Sequence, residues 1–219
     1  MATYTFEQSE YLEDVIESQG FYVMNDFGWK TSCGIVKIGQ DSEAFEKAKK
    51  ATTFAVDKYN EKSENSKLEL LRIMNVNFEP TAGAIYYITL EVVDLSSRKI
   101  LHYQAKVWEK INTGYKVEIF RLAPYAPKLS ECEEEKHCCV KVNNLQDWMD
   151  ENYLYYKCCY TFKKLVSVEV IRNKETGKSM GYGFLWFKTH SKAMEFLKKN
   201  EGKQMPNSSQ NYSLVFGKF

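Results

Sequence analysis

The chain has 219 residues, 44% of them hydrophobic, and its 30 basic and 29 acidic side chains leave a net charge of +1. That length holds one large core or two small ones, and its longest apolar runs, 83–90 and 181–187, fall far short of the roughly 20 residues a membrane-spanning helix needs. The first 18 residues carry five carboxylates before any Lys or Arg, which excludes the basic start of a secretion signal and predicts an intracellular protein with reduced thiols.

The cysteines, Cys33, Cys132 and the adjacent pairs Cys138–Cys139 and Cys158–Cys159, do not combine with His102, His137 or His190 in the spacing of a zinc site. No metal and no cofactor are expected. The balanced total charge hides a division: residues 1–128 hold 16 basic and 18 acidic groups, 129–137 four Glu and one Lys, and 138–219 13 basic and 7 acidic. A basic final third behind an acidic connector suits a module that meets a polyanion, and it is also ordinary solubilising surface.

In chain order, Asp41 or Ser42 can cap a helix whose apolar positions Phe45, Ala48, Thr52, Ala55, Val56 and Tyr59 repeat every 3.6 residues. Four strand-like stretches follow at 68–78, 84–94, 99–111 and 115–123, separated by polar or Gly-bearing turns. One helix and an antiparallel meander predict an α+β layer with the helix covering the sheet. Two prolines and a charge run then interrupt the pattern. The domains expected are 1–128 (core about 15–125), an acidic linker at 129–137, and 138–219.

The last part reads strand 140–145, helix 147–162, strands 165–173 and 181–188, helix 191–202 and strand 212–219. This βαββαβ order is the ferredoxin-like plan, which serves many functions. On the third strand, Met180–Phe187 spells MGYGFLWF. Strand alternation puts Met180, Tyr182, Phe184 and Trp186 on one face and Gly181, Gly183, Leu185 and Phe187 on the other. One face thus offers aromatics, and the other packs on helices.

That octamer fits the RNA-recognition consensus except at its first position, where Met180 stands for Lys or Arg. With NNLQDWMDENYL and SVEVIRNKETGKSMGYGF, residues 140–219 resemble an RNA recognition motif, in particular the first such domain of plant nuclear oligouridylate- and poly(A)-binding proteins. The resemblance implies binding of single-stranded RNA, with mRNA the expected class and the nucleus slightly preferred over the cytoplasm. It puts Tyr182 and Phe184 at base-stacking positions and Arg172 and Lys174 at the basic end of the second strand. Lys141, Asn143 and Trp186 complete the expected RNA contacts. The departures fall on the same face. Lys141 stands where the family presents a stacking aromatic, Ser213 and Val215 stand where relatives carry polar base-reading side chains, and Phe216 replaces a larger aromatic. One extra residue is expected in the first helix near YYKCC, with Cys158 or Cys159 in place of a core Phe and Lys163 in place of a helix-ending Gly. Binding is therefore expected to be weak, salt-sensitive and of low sequence specificity.

Residues 15–125 resemble plant cystatins and their intracellular relatives through ATTFAVDKYN, LELLRIMNVNFEPTAGAIYYITLEVVD and YQAKVWEKI. Cystatins wedge a Q-x-V-x-G hairpin and a Pro-Trp hairpin into papain-like proteases. Here Glu79, Pro80, Thr81, Ala82 and Gly83 replace the first, and INTGYK has no Pro-Trp pair. A degenerate wedge of this kind is not expected to seal a protease cleft, and a contact with some other protein partner is expected instead. No catalytic constellation or phosphate loop stands out, so no enzyme is expected. Alternatives to RNA binding are a protein-recognition module and, behind it, a cysteine-protease inhibitor.

Overall fold

The computed structural model describes residues 6–23, 34–63, 66–125, 138–159 and 165–217. No helix among them is long and apolar enough to cross a membrane. The chain divides into two units, 1–124 and 125–219. The expected acidic linker at 129–137, and Lys163, lie outside the described residues.

The first unit contains α1 (Phe6–Ser18), β1 (Val36–Lys37), α2 (Glu43–Lys62), β2 (Leu68–Thr81), β3 (Gly83–Asp94), β4 (Ile100–Lys110) and β5 (Gly114–Leu122). The cap of α2 is Ser42, whose hydroxyl accepts from the Phe45 amide at 3.2 Å. Glu43 and Glu46 in the first turn and Lys62 in the last complement the helix dipole. Phe45, Ala48, Ala51, Thr52, Ala55 and Val56 are buried, as the 3.6-residue period requires. They pack on an antiparallel sheet of order β1-β2-β3-β4-β5.

Two features of this unit were not anticipated. In β3, the run Tyr86–Leu90 is buried without alternation, because both faces of the sheet are covered. A second cluster of Tyr11, Phe21, Val23 and Ile35 packs around Tyr87, and Phe21 meets Tyr87 edge-to-face at 5.7 Å. The amide of Asn77 donates to the Gly20 carbonyl at 2.8 Å, fastening this segment to β2.

The second unit contains β6 (Cys138–Asn143), α3 (Glu151–Tyr153) running on as a π-helical segment at Leu154–Cys159, β7 (Leu165–Arg172), β8 (Ser179–Phe187), α4 (His190–Asn200) and β9 (Ser213–Gly217). Its sheet has the order β7-β8-β6-β9, all antiparallel. The helix expected from residue 147 begins later. Asp150 caps it by accepting from the Tyr153 amide at 2.9 Å, while the Met149 amide closes a turn on the Gln146 carbonyl. The segment Leu154–Cys159, which holds the YYKCC stretch, winds as π-helix rather than α-helix. It brings both Cys158 and Cys159 into the core. The last strand ends at Gly217; residues 218 and 219 lie outside the described set.

Candidate nucleic-acid interface

Alternation on β8 divides Tyr182–Phe187 as the sequence implies, while Gly181, at φ +78°, is half-buried where the register with β7 slips between Val170 and Arg172. Gly183, Leu185 and Phe187 are buried against the helices, Met180 is exposed, and Tyr182, Phe184 and Trp186 are half-buried on the open face. Gly183 has a packing reason: a Cβ there would lie 2.5 Å from the Glu169 carbonyl oxygen. The three rings form a ladder, with Tyr182 edge-on to Phe184 at 6.0 Å and Phe184 tilted against Trp186 at 5.6 Å.

The neighbouring strands complete the face. Lys141 on β6 is the backbone partner of Phe184 on one side and of Val215 on the other. Its ammonium sits 4.3 Å from the Tyr182 ring centroid, a cation–π contact worth about 0.5–1 kcal/mol where water has access. Lys141 therefore rests on the Tyr182 ring. Asn143 lies at the end of β6, and its amide donates to the Ser213 carbonyl at 3.1 Å. Lys174 is exposed in the β7–β8 turn, where the Asn173 side chain accepts from the Glu175 and Thr176 amides.

Arg172, one of the expected RNA contacts, also has a partner within the fold. Its guanidinium grips the fully buried Glu151 carboxylate with both terminal nitrogens, Nη2 to Oε2 at 2.6 Å and Nη1 to Oε1, and also donates to the Val170 carbonyl at 3.0 Å. Glu151 Oε1 accepts from the Val170 amide at 2.9 Å as well. Burying a carboxylate is costly unless it is paired, and Arg172 is the pairing group.

Sequence reasoning passed over Glu169. It is exposed on β7 between buried Val168 and Val170, directly opposite Phe184. The alternation in LVSVEVIRN already turned it outward, but its position beside Phe184 needed the strand register. Cys139, opposite Trp186, is buried on the same face. Burial first, and the Glu169 charge second, push its thiol up to about 11, so it stays protonated.

In the first unit, the five wedge positions form the β2–β3 hairpin. Pro80, Thr81 and Ala82 are exposed at its tip, and Glu79 and Gly83 are half-buried. Tyr87 donates its hydroxyl to Glu79 at 2.6 Å, and the Trp108 indole N–H donates to the Ala82 carbonyl at 3.3 Å. A Cβ on Gly83 would meet the Glu109 carbonyl oxygen at 2.0 Å. Gly83 pairs with Lys110, so the β4–β5 turn lies beside this tip.

A family model described as a cystatin domain matches residues 35–119, and one described as an RNA recognition motif matches 140–210. The chain joins a cystatin domain to an RNA recognition motif. Curated relatives align over the motif and are plant proteins. Polyadenylate-binding protein RBP45 of Nicotiana plumbaginifolia is 51% identical over 73 residues, covering 33% of this chain and 18% of that protein. Polyadenylate-binding protein RBP47 of the same species is 37% identical over 94 residues, covering 43% and 22%. The chain thus spans about a fifth of the length of the curated relatives it matches. Among solved structures, the second RRM domain of the yeast poly(U)-binding protein aligns at 21% identity and a TM-score of 0.34, over 37% of this chain and 95% of that one. A salivary cystatin from the soft tick Ornithodoros moubata aligns at 12% and 0.32, over 42% and 97%.

Proposed function

We propose that the chain binds single-stranded RNA, of the mRNA class, on the open face of its RNA recognition motif, and acts as a binding protein rather than an enzyme. The observation that carries this reading is the ladder Tyr182, Phe184, Trp186 on an open sheet face. Bases stack on such rings for about 1–3 kcal/mol each, whatever their identity. Lys141 and Lys174 supply positive charge for phosphates, while Arg172 is held by Glu151. With Lys141 in place of one aromatic platform, binding is weak, of low sequence specificity and sensitive to salt. Relatives that are polyadenylate-binding proteins add weight to an RNA partner. The site of action is inside the cell, in the nucleus before the cytoplasm. The cystatin domain contacts a protein partner, and its altered hairpin at 79–83 argues against sealing a protease cleft.

The test is a titration of the chain with short single-stranded oligonucleotides at two salt concentrations, beside a Tyr182→Ala, Phe184→Ala variant. Native binding weakens as salt rises, and the variant loses at least tenfold, from about 1–3 kcal/mol per lost stack. Equal binding by the two proteins refutes the stacking mechanism. A second reading, recognition of a polypeptide on the same face, draws on the exposure of Met180 (54%) and Val215 (46%) beside the ladder. It predicts no oligonucleotide binding even at low salt.

A further inference from the structure

The centre of the open face is a single transverse row, Val215, Lys141, Phe184 and Glu169, each residue the backbone partner of the next across β9, β6, β8 and β7. Neighbouring strands lie about 4.8 Å apart, and directly opposed side chains have Cβ atoms about 5 Å apart on the same face. Phe184 is therefore flanked by Lys141, whose ammonium turns onto the Tyr182 ring, and by Glu169 on the other side. Val168 and Val170 are buried on the helix side while Glu169 is exposed, so its side chain belongs to the open face. Its charge is felt by the Cys139 thiol on the same face. A carboxylate beside a polyanion's track opposes phosphate, so it is misplaced for backbone binding. It is well placed to meet the edge of a base.

We infer that Glu169 sets base choice at the Phe184 platform, favouring a base with an exocyclic amine over uracil. The inference rests on the RNA-binding reading above and departs from its low sequence specificity at one subsite only, the Phe184 platform. An ionised carboxylate only accepts hydrogen bonds. Cytosine and adenine turn an amine toward it, the pairing by which acidic side chains read cytosine N4, and guanine offers two adjacent N–H donors. Uracil presents two carbonyl oxygens around a single N–H, so one oxygen faces the carboxylate. Single-stranded bases stacked on a sheet are read along these same edges, and a bond to a charged acceptor is about twice as strong as a neutral one. Lys141, on the opposite flank, keeps the site attractive to the backbone although Glu169 is present.

Cytosine and uracil share one ring size and differ at the edge in question, so hexamers of each isolate the effect from stacking in every register. The native chain is expected to bind the cytidine hexamer about tenfold tighter than the uridine hexamer at low salt. Glu169→Gln, an exposed and isosteric change, is expected to tighten uridine binding and bring the ratio within about twofold, since an amide both donates and accepts. A cytidine-to-uridine ratio at or below one in the native chain overturns the inference, as does a Glu169→Gln variant that shifts both affinities equally and keeps the ratio. Loss of binding to both hexamers by the native chain overturns the RNA reading together with it.

Discussion

Replacing Arg172 with Ala separates a structural arginine from an RNA-contacting one. Glu151 is 0% exposed and takes two guanidinium hydrogen bonds and the Val170 amide. Removing the guanidinium strands a carboxylate in the core, a loss of about 3–5 kcal/mol where one member of a buried pair is deleted. In a domain of this size each kcal/mol moves the melting midpoint by about 4–8 °C, so the second unit's transition falls by at least 10 °C or so. The double variant Arg172→Met, Glu151→Gln removes both charges, keeps an acceptor for the Val170 amide, and recovers most of the loss, because no buried charge is left without a partner. Urea unfolding followed by tyrosine and tryptophan fluorescence measures both. The double variant is also expected to retain oligonucleotide affinity within about threefold, as the loss of a single phosphate contact would be salt-dependent and larger. Arg172→Ala costing under 1 kcal/mol of stability while weakening RNA binding tenfold or more would refute this assignment and return Arg172 to the interface.

Lys141→Phe restores an aromatic on β6. At 0.3 M salt it is expected to tighten binding of a short oligonucleotide by about tenfold, within the worth of one stacked base, and to reduce the salt slope by about 0.7 as one phosphate contact disappears. Weaker binding at every salt concentration would contradict the account of the platform. Glu91 gives an acid-sensitive element in the first unit. Burial raises its carboxyl, but hydrogen bonds from His102 and Arg72, with the Arg72 charge, outweigh this and hold it at about 2 against an ordinary 4.5. A depressed carboxyl contributes stability that is complete above its unfolded pKa and is lost as pH falls through its folded one. Roughly 3 kcal/mol should therefore disappear between about pH 4.5 and pH 2. Glu91→Gln is expected to flatten urea midpoints over that window, and an unchanged slope would show that other carboxylates govern acid unfolding.

Local pattern carried a great deal in this chain. The 3.6-residue period of α2, a polar cap at Asp41 or Ser42, the four long strands of the first unit and the two faces of MGYGFLWF are short-range properties, because side-chain direction follows directly from backbone period. The sequence singled out the YYKCC stretch too, although only the folded helix showed that it winds as π-helix. What the sequence could not determine was which side chains meet across the chain. Arg172 reads as one more cation in a basic run until Glu151, 21 residues earlier, is found buried beside it. Lys141 reads as a missing aromatic until its ammonium is found over Tyr182, 41 positions on. Glu169 reads as solvent-facing until register sets it against Phe184. The burial of Tyr86–Leu90 without alternation likewise depends on Phe21 and Tyr11 covering the second face of the sheet. Periodicity decides which way a side chain points; strand register and long-range packing, which no local window contains, decide what it finds there.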